Sequence, residues 1–315
     1  ALKRLARPFV LWYDEKEVRT MGAADTVTKA YMRENAVFAD AFNYLIYDGE
    51  PVIEPEKLKE LDATEIASPF GNGDTEEAVQ KYRDILKSAV IMQDEKASYV
   101  LLGIENQTDI HYAMPVRNMI YDALQYGKQV SDVSTRHRKA SEKPQTRGEY
   151  LSGFYKRDKI VPVITLVVHF GADAWDGARS LHEMMDIRDE KLRRFIPDYK
   201  IQLIDPAGLS AEDLNKLSTS LREVMGYIKY SRSKEKLSAF LNQNQREWIE
   251  ANAARVIKAI TKTPIEIPEG AEAINVCEAI EAMMKDSRNE GKIEALAGLV
   301  KDGLLSMQDA AARLN

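Results

Sequence analysis

The sequence predicts an α/β protein, a mixed sheet flanked by helices, followed by an all-helical C-terminal part. Three observations carry this. Two short apolar runs, 84–92 ("DILKSAVIM") and 98–105 ("SYVLLGIE"), flank the polar "QDEK", as the arms of a hairpin do. After a helical stretch come two more extended runs, the β-branched "KIVPVITLVVHFG" (159–171) and "YKIQLID" (199–205). From Ser210 onward the apolar residues recur at helical spacing. With 44% hydrophobic residues in 315, the chain can bury one sizeable core and a smaller second unit.

Taken in order, residues 1–20 read as an N-terminal extension. Their apolar patch is followed at once by Asp14, Glu15 and Glu17, and the segment after Met21 looks a more natural start. Residues 21–206 form the α/β unit, 207–275 a helical region and 276–315 a helical tail. "NAVFADAFNYLIY" (35–47) puts Val37, Phe38, Phe42, Leu45 and Ile46 on one helical face, closed by Asp48 and Gly49. A Pro-rich connector follows, then a loop at Gly71, Asn72 and Gly73, and a short helix over 75–82. Both hairpin arms are apolar on both faces, so the sheet is covered on both sides. A helix over 114–130 precedes the third strand. Ser210 caps the first C-terminal helix, the pattern runs on through 233–261, and Pro264 and Pro268 mark a linker. The last stretch breaks at Gly303 and restarts with Ser306 as a cap.

Composition excludes several classes. No apolar run approaches the about 20 residues that cross a bilayer. A lone cysteine, Cys277, allows no intramolecular disulfide, so a cytoplasmic location is expected. His111, His137, His169 and His182 show no zinc-ligand spacing. The net charge of -6 argues against a general polyanion binder. The segment 136–159 departs from that average, with eight Lys or Arg against three acids. It reads either as a solvated loop or as a phosphate-contacting patch.

The hairpin's second arm ends on Glu105, Asn106 and Gln107. If the turn is centred between Asp94 and Glu95, cross-strand partners sum to 189 and Asp84 lies opposite Glu105. Directly opposed residues have Cβ atoms about 4.5–5.5 Å apart on one face. Two carboxylates that close repel unless a proton or a cation lies between them. Mg²⁺ (or Mn²⁺) suits such a pair, since it binds through one or two carboxylates and keeps waters that a phosphate can displace. The Asn106 carbonyl would be a third oxygen. The alternative is two solvated acids at strand ends, and a one-residue slip in register would part them.

The blocks "KYRDILKSAVI", "YVLLGIENQTDIHYAMPVRNMIYDALQY", "VPVITLVVHFG" and "VKDGLLSMQDAAARL" resemble the recombination-promoting nuclease (Rpn)/putative transposase family of bacteria, within the PD-(D/E)XK nuclease superfamily. The resemblance runs from about Met21 to the end and implies a restriction-endonuclease-like fold with Mg²⁺-dependent cleavage of DNA. It makes Asp84 and Glu105 the metal ligands and catalytic residues, with Gln107 where the superfamily has Lys. A glutamine orients and hydrogen-bonds but carries no charge. The family's first-helix acid falls on Asn35, with Asp40 the nearest acid, read as lying on the surface. Arg117 and Tyr121, four apart, share a helical face. They serve either the substrate, Arg117 holding a phosphate or orienting Glu105, or plain helix packing. His111 reads as a loop histidine and Trp175 as core. The C-terminal helices, poor in Lys and Arg, suit packing or self-association. Two other readings stand beside cleavage: a catalytically weak nuclease fold that binds DNA or a protein partner, and strand transfer by a true transposase.

Overall fold

The computed structural model describes residues 22–62, 64–67, 79–82, 84–93, 96–243 and 248–275, and beyond them 293, 296–302, 305–306 and 308–309. The first described elements are α1 (Ala23–Arg33) and α2 (Asn35–Tyr47), separated by an extended Glu34. There follow β1 (Lys59–Glu60), β2 (Thr64–Ala67), β3 (Val79–Tyr82), β4 (Ile85–Gln93) and β5 (Lys96–Gln107). Next come α3 (Met114–Lys139), α4 (Arg147–Ser152), β6 (Val163–His169), α5 (Glu190–Arg193) and β7 (Gln202–Ile204). The C-terminal part comprises α6 (Ala211–Asn215), α7 (Leu221–Tyr230), α8 (Lys234–Gln243), β8 (Trp248–Glu250), α9 (Ala251–Thr261) and β9 (Ala273–Asn275).

Five strands form one mixed sheet in the order β1-β4-β5-β6-β7. The first three are antiparallel, while β5, β6 and β7 run parallel. Parallel neighbours need a crossover, and α3 with α4 supplies it between β5 and β6. The hairpin keeps the predicted register, with Ile85 opposite Ile104 and Gln93 opposite Lys96. Even-numbered residues of β5, such as Leu102 and Ile104, face α1 and α2, and odd-numbered ones face α3.

One hydrophobic cluster runs from Tyr31, Phe38 and Phe42 through Ile85, Leu102 and Leu166 to Leu221, Tyr227 and Val256. The sheet and the C-terminal helices therefore share their apolar interior. A smaller cluster of Met114, Val167, Trp175 and Ile201 lies under α3, with Trp175 in the role expected. Among the described residues no helix is long and apolar enough to cross a membrane.

Several local expectations are corrected. Val79–Tyr82 is a strand rather than the end of a helix, because it pairs with Thr64–Ala67, a partner invisible at short range. Helix α3 continues nine residues past Val130, so Arg136–Lys139 lie in its last turns instead of a loop. The stretch 233–261 is interrupted at Trp248–Glu250, which pairs with Ala273–Asn275, so the helical C-terminal part carries a short ribbon. Ile46, at 36% exposed, has left the apolar face of α2. Asp40 is buried, for reasons given below. Gly71, Asn72, Gly73, Cys277 and Gly303 lie outside the described residues, while Ser306 accepts from the Asp309 amide at 3.1 Å, as a helix cap does.

Candidate active site

Asp84 stands one residue before β4, and Glu105 is the third-last residue of β5. Their segments are stitched together reciprocally. The Asp84 amide donates to Glu105 Oε1 at 3.3 Å, and the Asn106 amide donates to Asp84 Oδ2 at 2.9 Å. Each acid thus accepts from the backbone of the other's segment, just beyond the last paired residues Ile85 and Ile104.

Each acid also meets a cation. Lys29 Nζ of α1 is 2.9 Å from Asp84 Oδ1 and 3.2 Å from Asp25. Arg117 Nη2 of α3 is 3.1 Å from Glu105 Oε2, and the Glu105 side chain is fully buried. Two helices on opposite faces of the sheet therefore converge on its end, each bringing one positive charge. Burial works against the charge on Lys29, yet Asp84 and Asp25 outweigh it and raise its pKa. Arg117 behaves alike, with Glu105 overcoming burial. Arg117 Nε donates to the Tyr121 hydroxyl at 3.1 Å, joining that pair across the face they share. Burial first, and the Glu105 charge second, push the Tyr121 hydroxyl up to about 12. Tyr121 itself is buried.

Gln107 Nε2 donates to the Asn106 carbonyl at 2.9 Å, so the side chain lies back along its own strand. The Gln107 backbone carbonyl accepts from the Phe170 amide at 2.8 Å, tying the end of β5 to β6. His111 is half-buried in the turn before α3, and its carbonyl accepts from the Met114 amide at 3.0 Å. Among the described residues no group of three or more His, Cys, Asp or Glu side chains is placed to hold a metal ion.

Lys29 and Asp25 went unseen in the sequence. They lie 55 and 59 positions before Asp84 on a helix whose docking no local pattern reveals. Their i,i+4 spacing on α1 is the one signal available, and it is common to many surface helices.

Asn35 and Asp40 serve elsewhere. Asn35 Oδ1 accepts from Lys87 Nζ at 2.6 Å, and its amide donates to the Pro55 carbonyl. Lys87, fully buried on β4, also donates to the Arg33 carbonyl at 2.5 Å and so caps α1. Burial lowers its pKa. Asp40 is 3% exposed and accepts four bonds, from the amides and hydroxyls of Ser218 and Thr219, at 2.6–2.9 Å. Those four fixed donors draw a carboxylate inward where a surface position was expected.

The basic segment has its own architecture. All eight Lys and Arg of 136–159 are exposed. Its three acids are used internally. Glu149 accepts from the Gln145, Thr146 and Lys156 amides. Glu142 and Asp158 hold the two ring nitrogens of His137, at 3.0 and 2.8 Å. Tyr155 stacks on that ring at 3.8 Å. Gly153 ends α4 at φ 66°, where a Cβ would come within 2.2 Å of Ser134 Oγ on α3, so only glycine admits this approach.

A mixed five-stranded sheet, with two acids from adjacent antiparallel strands and an outlying basic unit, defines an α/β protein with a polar site at one sheet end. Within that class, the chain belongs to the family described as "Putative transposase, YhgA-like", whose model matches residues 75–255, 181 of the 315 residues. No curated protein and no solved structure matches the chain.

Proposed function

We propose that this chain is a divalent-metal-dependent DNA endonuclease of the recombination-promoting, transposase-associated type, cutting phosphodiester bonds with low sequence specificity. One observation carries the reading: Asp84 and Glu105 are drawn together at the sheet end, Glu105 accepting from the Asp84 amide and Asp84 from the Asn106 amide. Family membership supports a transposase- or nuclease-type role in coarse terms.

The donor set is all hard oxygen, two carboxylates and the neighbouring Asn106 carbonyl, which suits Mg²⁺ or Mn²⁺. Asp84 and Glu105 would hold the ion. When bound, it supplies Lewis acidity toward the phosphate and a water more acidic than bulk water. The chain's own groups do the rest. Arg117, part-exposed and fixed by Tyr121, orients Glu105 and faces the phosphate charge as it develops. Tyr121 serves the substrate through that guanidinium. Lys29 supplies near Asp84 a positive charge that Gln107 lacks. It keeps a permanent cation beside Asp84, and can turn to the phosphate once Asp84 has another partner. Gln107, with its donor on Asn106, presents its carbonyl oxygen to orient a water. The exposed cations of 136–159 bind backbone phosphates, a mode that carries no base information.

The test is nicking of supercoiled plasmid with Mg²⁺ and with EDTA, using Asp84→Asn and Glu105→Gln beside the parent. Metal-dependent nicking that both substitutions abolish is the expected result. Equal nicking by all three proteins overturns the mechanism. One observation favours a catalytically weak binder instead: at rest both acids are already balanced by Lys29 and Arg117. DNA binding without metal-dependent nicking by the parent decides for that reading.

A further inference from the structure

Helix α3 joins the acid pair to the basic unit, and its length has a meaning of its own. Arg117, on Glu105, lies in its first turn, and Lys139 is its last residue. At 3.6 residues per turn, Lys128 and Lys139 lie only about 20° and 40° round the axis from Arg117. All three therefore occupy one stripe, with Lys128 and Lys139 exposed. The helix carries two acids. Asp122 is engaged by Thr165 and Tyr199, at 2.6 Å each, whereas Asp132 is exposed about 60° round from Arg117 and weakens the field midway. From Arg117 to Lys139 the rise is about 33 Å. One turn of B-form duplex is about 34–36 Å, or about 10 base pairs.

We infer that α3 is a ruler for one turn of duplex DNA: with Arg117 at one backbone position, Lys139 and the basic unit meet the same face of the duplex one turn away. Three features support this. The cations at the far end are all exposed, though Arg157 also pairs with Glu142, and the other two acids, Glu149 and Asp158, bond within the unit. The unit is braced against α3 through His137 and Gly153 and so holds a fixed distance. Phosphates on a regular duplex recur on the same face once per turn, so a rigid row of cations at that spacing selects a helical polyanion over a flexible one. Only the identity of the cutting end rests on the nuclease reading. A phosphodiester on one side of the cut needs about one turn of duplex beyond it.

The experiment is fluorescence anisotropy in EDTA with random-sequence duplexes of about 6, 10, 14 and 20 base pairs, and single strands of equal length. Affinity is expected to rise steeply, by about tenfold beyond the gain from extra sites, once duplex length passes about 10 base pairs. The variant Arg138→Ser/Lys139→Ser/Arg147→Ser should lose that step and reduce the salt slope by about 2–3, at about 0.9 for each phosphate left without its cation. Lys128→Ser, a single exposed change in mid-helix, should reduce the slope by about 1. Circular dichroism melts confirm that each variant is folded. A smooth rise with length, an unchanged triple variant, or tighter binding to single strands overturns the ruler. A parent that nicks plasmid without a length step loses the ruler and keeps the nuclease. A parent that shows the step yet never nicks loses the nuclease and keeps the ruler.

Discussion

Asp40 and Glu105 are both buried acids, and they are satisfied in opposite ways. Asp40 accepts four bonds from the amides and hydroxyls of Ser218 and Thr219, neutral groups fixed in the chain turn before α7. Glu105 has an arginine on one oxygen and a long amide bond on the other, and its neighbour Asp84 has a lysine. Neutral fixed donors leave an acid with no spare valence and nothing to exchange. A side-chain cation can leave when a better one arrives. The comparison separates an acid locked by neutral donors from a pair balanced by side-chain cations.

The largest effect expected is on cleavage. Asp84→Asn and Glu105→Gln should each lower Mg²⁺-dependent nicking by at least about a hundredfold, whereas Asp40→Asn should leave nicking per folded molecule nearly unchanged. A comparable loss in Asp40→Asn would erase the distinction. Next in size is stability. Asp40→Ala takes the acceptor from four donors, two on half-buried Thr219 and two on exposed Ser218, and should cost about 2 kcal/mol in urea denaturation, with no dependence on added metal. Arg117→Ala leaves Glu105 buried without its cation, a loss of about 3 kcal/mol in EDTA. That loss should shrink in Mn²⁺, because an ion binding only the folded state stabilises it by mass action. Equal deficits with and without Mn²⁺ would show that Glu105 needs its arginine rather than any cation. Smaller again, Lys29→Met should tighten Mn²⁺ binding by several-fold in calorimetry, since the lysine competes for Asp84. Weaker binding would make Lys29 a scaffold instead.

The smallest effect is the pH response of the two lysines. Lys29 has a folded pKa above 10.5, so its contribution is complete below pH 10.5 and fades as pH rises through the folded value. Lys87 has a folded pKa below 10.5. In the window between that value and 10.5 the unfolded chain binds the extra proton, so stability gains with pH there. Alkaline denaturation series on Lys29→Met and Lys87→Met should remove slopes of opposite sign. Slopes of the same sign in both would mean that only one of these environments is as described.

Local pattern was enough for much of this. A hairpin's register follows from where its turn is centred, and the sum of 189 holds from Ile85–Ile104 to Gln93–Lys96. Ser210 as a cap, α2, β6 and β7 likewise declare themselves through neighbours a few residues away. What escaped was set by distant partners. Lys29 meets Asp84 across 55 residues, and Asp40 meets Ser218 across 178. A strand as short as Trp248–Glu250 exists only because Ala273–Asn275 lies beside it. A single acid, read alone, gives no sign of whether amides or ammonium groups will surround it.

The docking of α1 has a consequence during synthesis. Its closest helical neighbour is α9, and Tyr31 reaches Ser220 at 2.9 Å. A helix that packs on a segment made much later cannot complete its docking until that segment has emerged from the ribosome. Since Lys29 rides on α1, the nascent polypeptide carries its two sheet-end carboxylates before their lysine counterpart is in place. The pairing of Lys29 with Asp84 is therefore secured only after translation has passed Thr261.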